Sequence, residues 1–381
     1  MKLIEKYNVP GPRYTSYPTV PYWDNPPSAL DWRNLVKQSF DAHNDEDGVS
    51  IYIHLPYCES LCTFCGCTTR ITVNHAVEKP YIEALLAEWK LYIDLFGRKP
   101  NIKELHLGGG TPTFFSSENL SHLINGIKEL SQFDQNAELS FEANPNSTTY
   151  NHLQTLRDLG FERVSLGIQD FDPIVQKTIN RVQSFNQVKL VTDWARGLGY
   201  KSINYDLVYG LPHQTTKSIE TTIDLVNLLR PDRIAFYSYA HVPWVKPGQR
   251  SFTEKDLPEG KDKHAMYALG KSMLISAGYL EIGMDHFALP DEELTRAFRA
   301  GKMHRNFMGY TTQPSKLMIG LGVSAIGDSW TAFGQNVKEV EKYLEVVNKG
   351  AFPIFRGHIL SKEDLMIRKL ILDIMCHFKA D

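Results

Sequence analysis

The chain has 381 residues, with 41 Lys and Arg against 44 Asp and Glu, so its net charge is −3. That near-balance gives no reason to expect nucleic acid or an anionic membrane as partner. The start, MKLIEKYNVPGPRYT, lacks the apolar centre of a secretory signal, and no run reaches the ~18 apolar residues needed to span a bilayer.

Residues 1–46 carry Pro10, Pro12, Pro18, Pro21, Pro26 and Pro27 among aromatics, which rules out a continuous helix there. The segment reads as an arm packed on the domain or as a lid, with a short helix over 30–40. From residue 49, β-rich and amphipathic stretches alternate. SIYIHLPY reads as a strand that ends at a cysteine loop, and 81–96 as a helix. IKELHL reads as a strand running into Gly108, Gly109, Gly110 and Thr111, followed by a helix over 119–130. ELSFEAN is a strand with Glu142 near its end, and 150–159 a helix. RVSLGIQ is a strand ending at Gln169, with helices over 173–179 and 186–198. SINYDLVYG is a strand carrying Asp206, 217–229 a helix, RIAFYSYA a strand reaching Ala240, and 261–277 a long helix.

Six successive βα units imply parallel strands joined by right-handed crossovers. The expected fold is α/β, a partial (β/α)6 barrel over 47–330 that stays open rather than closing with eight strands. Functional groups in such sheets collect at the C-terminal strand ends, where the candidates above fall. Residues 281–329 are less regular and hold His304 and Arg305 among aromatics. The region 331–381 is expected to be helical, with Cys376 as a plain buried thiol.

Cys58, Cys62 and Cys65 are spaced C-x3-C-x2-C, and Cys67 follows. Thiolates are soft donors suited to zinc, copper(I) or iron–sulfur clusters. A zinc knuckle normally needs a second Cys or Cys/His pair at a ribbon or finger spacing, and none follows. A four-iron cluster takes one cysteine per iron, so three would leave one iron open to a small molecule. Clustered thiols without a signal peptide point to a reducing cytoplasm, and a monomer is expected. The triple glycine removes every Cβ and lets backbone approach a ligand. It matches neither the dinucleotide fingerprint nor the P-loop. Glu142, Gln169, Arg181 and Asp206 are each compatible with an ordinary strand-end polar group. Together they supply acids, an amide and a fork for a carboxylate.

The C-x3-C-x2-C loop just after a strand resembles the signature of the radical S-adenosylmethionine (SAM) enzymes. Further motifs narrow the resemblance: KYNVPGPRYTSYPT at 6–19, YIHLPYCESLCTFCGC at 52–67, LHLGGGTPT at 105–113, SLGIQDF at 165–171, YDLVYGLP at 205–212, GMDHFA and HRNFMGYTT. Along essentially its whole length the chain resembles the oxygen-independent coproporphyrinogen III oxidase family. Cys67 and the proline-rich arm separate that family from its haem-binding or haem-trafficking relatives, which stand as the alternative.

The resemblance implies a [4Fe–4S] cluster on Cys58, Cys62 and Cys65, and two SAM molecules. The first would touch Tyr52, Gly109, Glu142 and Ile326. The second would touch Phe64, Gly110, Thr111, Gln169, Arg181, Asp206 and Ala240. Gly66 and Cys67 would lie close by, with Cys67 a catalytic thiol rather than a cluster ligand. The implied reaction is oxidative decarboxylation of two propionates of coproporphyrinogen III to vinyls, driven by a SAM-derived 5′-deoxyadenosyl radical. A reductant protein such as a flavodoxin or ferredoxin is implied as partner. A porphyrinogen is apolar and edged with carboxylates, so Arg13, His304 and Arg305 are expected to meet carboxylates. In the family a further C-terminal domain follows, so 331–381 is expected to be its truncated start.

Overall fold

The computed structural model describes Lys6 and residues 16–380. Helix α1 (Ala29–His43) begins at Ser28, whose side chain caps the helix in a capping box with Asp31. Strand β1 (Val49–Leu55) follows and leads into a short parallel pair, β2 (Tyr57–Cys58) and β3 (Arg70–Ile71). Helices and strands then alternate: α2 (Glu78–Phe96), β4 (Asn101–Gly109), α3 (Ser117–Glu129), β5 (Gln132–Ala143), α4 (Tyr150–Asp158) and β6 (Arg163–Gln169). Next come α5 (Pro173–Thr178), α6 (Phe185–Gly197), β7 (Ser202–Tyr209), α7 (Thr216–Leu229), β8 (Arg233–Ser238) and α8 (Gly260–Ser276).

Strands β1, β4, β5, β6, β7 and β8 lie side by side and parallel, the expected (β/α)6 order. The sheet is open because β1 pairs not with β8 but with the parallel β13 (Leu317–Leu321). Before β13 come β9 (Leu280–Glu281), β10 (His286–Ala288), α9 (Glu293–Arg299) and the hairpin β11 (His304–Asn306) and β12 (Gly309–Thr311). After it come β14 (Ile326–Asp328), β15 (Ala332–Asn336), α10 (Val340–Asn348), β16 (Ile354–Ile359) and α11 (Lys362–His377). Residues 331–381, expected to be helical, thus also give β15 and β16, which extend the sheet with antiparallel pairing. Cys376 is buried, as expected of a plain core thiol.

The two faces of the parallel strands differ. Ile51, Ile53, Leu105, Leu107, Phe141, Leu166, Ile203 and Phe236 are buried and join the main hydrophobic core. The alternate residues Ser50, Tyr52, Glu104, His106, Glu138, Ser140, Glu142, Ser165, Asn204 and Asp206 face the lumen and link to one another. A parallel sheet covered on both faces usually reads as continuous apolar runs; this lumen is polar. Its N-terminal end is plugged by the β11–β12 region. Asn306 donates to Glu104 at 3.2 Å, and the Thr312 hydroxyl donates to Glu138.

Glu88 on α2 is fully buried and ties three elements to that helix. It accepts from the Gly322 amide at 2.8 Å, the Tyr343 hydroxyl at 2.6 Å and the Asn336 side chain at 2.7 Å. Burial pushes its carboxyl up to about 7, against the opposing effect of these donors. The unfolded chain loses this proton near the ordinary value while the folded chain keeps it. Stability therefore falls as pH rises from about 5 to about 7. Glu88→Gln offers one acceptor oxygen to three donors and is expected to lower stability by about 1–3 kcal/mol. It is also expected to remove that fall with pH, which thermal unfolding across the range checks.

Candidate functional site

Residues 59–69 form a loop bracketed by β2 and β3, and its backbone is held from two sides. On one side the Thr63 amide donates to the Ile179 carbonyl and its hydroxyl to the Thr178 carbonyl, both at 3.0 Å. Asn180, in the left-handed region at φ 52°, donates its amide to the Leu61 carbonyl at 2.7 Å. Asparagine is among the residues that tolerate this conformation. On the other side Gln249, 1 % exposed, donates to the Phe64 carbonyl at 3.0 Å and the Ala240 carbonyl at 3.3 Å. Lys246 donates to the Cys67 carbonyl at 3.0 Å. The Phe64 ring packs on a small apolar cluster that includes Val175, Ile179 and Tyr239.

None of these bonds uses a thiol, and all five cysteines are unpaired. The Thr111 hydroxyl lies 3.2 Å from Cys58 Sγ, Arg181 Nη1 donates to Cys62 Sγ at 3.7 Å, and the Cys67 amide donates to Cys65 Sγ at 3.4 Å. Donation from Cys67 holds the Cys65 thiol down at about 6, with help from Lys246 and Arg181 and against burial. The same contact with Cys65, then burial, pushes the Cys67 thiol up. Burial pushes Cys58 up to about 11. Among the described residues no three His, Cys, Asp or Glu side chains converge as a single metal ion would need. A cluster that takes one thiolate per iron does not require such convergence.

The glycine-rich end of β4 lies beside this loop. Gly109, at φ 112°, donates its amide to Glu142 at 3.2 Å. Glu142 also meets His106 Nε2 at 3.6 Å, and His106 Nδ1 meets the Ser140 hydroxyl at 2.8 Å. The His106 ring stacks on Tyr52, with centroids 6.1 Å apart. Burial pushes the Glu142 carboxyl up, but His106, the Gly109 amide and His54 together bring it below the usual range. Asp206 accepts from the Ser165 hydroxyl at 2.7 Å and from Asn204 at 2.9 Å, yet burial still pushes it up to about 6. Two carboxylates facing one space thus differ in proton affinity because their donors differ. Arg181 is held by donating to the Gly167 carbonyl at 2.9 Å and to Gln183 at 3.3 Å.

These groups surround a cavity of about 540 Å³, inside the ~300–1,000 Å³ range of small-molecule sites. The structure brings to it Cys58, Cys62, Cys65 and Cys67 with Phe64 and Gly66. Gly109, Gly110, Thr111, Glu142, Gln169, Arg181 and Asp206 line it as well. Three expected residues stand just outside the lining. Tyr52 lies one layer deeper, beside His106. Ala240 is tied through Gln249 to the cysteine loop. Ile326 packs its backbone against Gly320, the partner of Tyr52 on β13.

His304 and Arg305, expected to meet substrate carboxylates, belong to the hairpin that plugs the opposite end of the lumen. Arg305 lies 4.4 Å over the Tyr310 ring, and burial holds His304 down at about 4. Their residue types suit a carboxylate, but the topology sets them at the wrong end of the strands. Arg13 lies outside the described residues. The sequence reading missed Asn180, Gln183, Lys246, Gln249 and His106. Only His106 carried a local signal, as the residue two positions before Gly108 and so on the same strand face.

The radical SAM superfamily profile matches residues 52–226. Oxygen-independent coproporphyrinogen III oxidases of Synechocystis sp., Helicobacter pylori J99 and Escherichia coli K12 are 38 %, 41 % and 39 % identical to this chain. The alignments cover 99 %, 99 % and 100 % of this chain and 80 %, 83 % and 82 % of those proteins. The solved structure of coproporphyrinogen III oxidase from Escherichia coli, described as a radical SAM enzyme, matches with a TM-score of 0.92 at 37 % identity. That match covers 99 % of this chain and 84 % of the other.

The donor set fits the [4Fe–4S] cluster and SAM that the superfamily uses: three unpaired soft donors beside a strand end without Cβ atoms. A Cβ on Gly110 would lie 2.5 Å from the Pro56 carbonyl oxygen, whereas one on Gly66 would meet nothing within 4 Å. Gly110→Ala must therefore displace either the glycine strand end or the start of the cysteine loop. After anaerobic reconstitution, bound iron and cluster absorbance are expected to fall at least about threefold in Gly110→Ala.

Proposed function

The chain belongs to the oxygen-independent coproporphyrinogen III oxidases of the radical SAM superfamily, and on that premise we propose that it oxidatively decarboxylates two propionates of coproporphyrinogen III to vinyl groups. The product is protoporphyrinogen IX, a step of haem biosynthesis. The observation that carries this reading is the single cavity shared by the open thiol loop, the glycine strand end, Glu142 and Asp206.

Cys58, Cys62 and Cys65 are the proposed cluster ligands. When bound there, the cluster and SAM would supply a 5′-deoxyadenosyl radical for oxidation of a propionate at its β-carbon, with an external acceptor needed for the electron left after loss of carbon dioxide. The chain's own residues bind and orient. The Gly109–Thr111 backbone approaches the ligand closely. Glu142, charged through the neutral range, attracts an ammonium group. Asp206, held by Ser165 and Asn204, accepts from hydroxyls. Arg181, pinned by Gly167 and Gln183, presents its fork toward a carboxylate. Cys67, outside the three-cysteine spacing, is the thiol left to meet substrate.

We assign two SAM molecules. Tyr52, Gly109, Glu142 and Ile326 would hold the first. Phe64, Gly110, Thr111, Gln169, Arg181, Asp206 and Ala240 would hold the second. The two carboxylates, which differ in proton affinity, support the division. Gly66 would lie between the loop and the ligands. A flavodoxin or ferredoxin is the proposed reductant, and a monomer the proposed working form. No helix among the described residues is long and apolar enough to cross a membrane. Unpaired thiols support a cytoplasmic setting.

Anaerobic protein reconstituted with iron and sulfide, then given SAM, a strong reductant and coproporphyrinogen III, tests the reading in one chromatogram. Substrate-dependent 5′-deoxyadenosine and a porphyrin product lacking two carboxyl groups are expected. Tight haem binding with no decarboxylation would instead favour the haem-trafficking alternative.

A further inference from the structure

Apolar side chains stand at the mouth of the cavity beside the exposed Glu59, Ser60, Asn146 and Asn180, with cations beyond it. Leu61, Ile71 and Val182 line the cavity while 41 %, 40 % and 66 % exposed. Trp244 and Val245 stand 67 % and 62 % exposed next to Lys246, which is fixed to the edge of the cysteine loop by its bond to the Cys67 carbonyl.

Two more cations reach the same end of the sheet from its other edge. Because β13 is parallel to β1 and β14, β15 and β16 then alternate, β15 ends and β16 begins at the end where β1 delivers the cysteine loop. Lys338 follows β15, and Arg356 lies near the start of β16 opposite Gln335. They flank one ring: Lys338 Nζ lies 5.8 Å and Arg356 Cζ 5.4 Å from the centroid of Phe355. Arg356 also lies 5.7 Å over Trp23.

No carboxylate among the described residues pairs with these three cations. Lys246 donates to a backbone carbonyl, Arg356 donates to Gln335 at 2.6 Å, and Lys338 has its ring contact. Burial, then the charges of Arg356 and Lys246, hold the Lys338 ammonium below its usual range. Three cations close enough to act on one another, none in an ion pair with a described carboxylate, form a field that an anionic ligand relieves.

We propose that Lys246, Lys338 and Arg356 bind carboxylates of the substrate while Trp244 and Val245 cover its apolar face. This rests on the oxidase reading, in which the substrate is an apolar macrocycle edged with carboxylates. Arg356 supplies a planar fork and the lysines supply point charges. The exposed tryptophan supplies a wide apolar face at low entropic cost. The assignment replaces His304 and Arg305, which lie at the far end of the lumen.

Reconstituted full chain is assayed with SAM and dithionite. Replacing Lys338 and Arg356 together by alanine is expected to raise KM for coproporphyrinogen III about tenfold, more than it changes kcat. Coproporphyrin III, fluorescent and unreactive, titrated into the chain without SAM should show a similar loss in Kd. Cluster absorbance and Tm report folding. Lys338→Glu alone stands in if the double variant does not fold. Unchanged KM and Kd in an active variant overturn the rim and leave the oxidase reading intact. A defect seen only with flavodoxin as reductant also overturns it and gives the cations to the reductant. If the unaltered chain neither binds coproporphyrin III nor turns over coproporphyrinogen III, the oxidase reading fails and the rim with it.

Discussion

The cysteine loop keeps its shape through hydrogen bonds that spend none of its thiols. Asn180 and Thr63 tie it to the end of α5, while Gln249 and Lys246 tie it to the segment after β8. Each bond satisfies a backbone group that an irregular loop would otherwise leave to water. The thiols are therefore free to ligate, and much of the loop's ordering entropy is met by the fold before any ligand binds. The rest of the site depends on this arrangement. β1 delivers the loop, the glycine end of β4 leaves room beside it, and Glu142 and Asp206 rise from the strands below.

The polar lumen gives those carboxylates their supports. Arg163 donates to Glu138 at 3.0 Å and to the Ser140 hydroxyl at 3.2 Å, and Ser140 meets His106 beneath Glu142. A chain of contacts thus runs from the plugged end of the barrel to the cavity. Buried charges are costly unless paired. Here Arg163 pairs with Glu138, and Arg233 with Glu292 at 2.5 Å. Burial raises Asp206, while Glu142 escapes because His106 and the Gly109 amide donate to it. Two carboxylates two strands apart acquire different proton affinities from different neighbours, not from different chemistry.

Much of this was legible in the sequence because it is local. The helix expected over 150–159 is found at Tyr150–Asp158, where Thr149 supplies the cap. The strand ends expected to carry Glu142, Gln169 and Asp206 do bring them to the cysteine loop. Long-range pairing was not legible. Leu317–Leu321 is a short apolar run with nothing to mark it as the neighbour of β1, yet that pairing keeps the barrel open. β15 and β16 were hidden in a region that reads as helix because α10 and α11 dominate its pattern. His304 and Arg305 show the same limit. Residue type points to a carboxylate partner but says nothing about which end of a barrel a hairpin will close. Gln249 sits in a short 3-10 helix, Pro247–Ser251, and its role depends on a carbonyl from a distant loop.

Hydrogen–deuterium exchange of the reduced, iron-free protein tests most directly whether the fold holds the cysteine loop before metal arrives. The Thr63 and Cys65 amides donate to the Ile179 and Cys62 carbonyls at 3.0 and 3.1 Å. They are expected to exchange at least about a hundredfold more slowly than in an unstructured peptide. Exchange at the unstructured rate across residues 58–67, slowed only after iron and sulfide are added, would contradict this and make the metal the organiser of the loop.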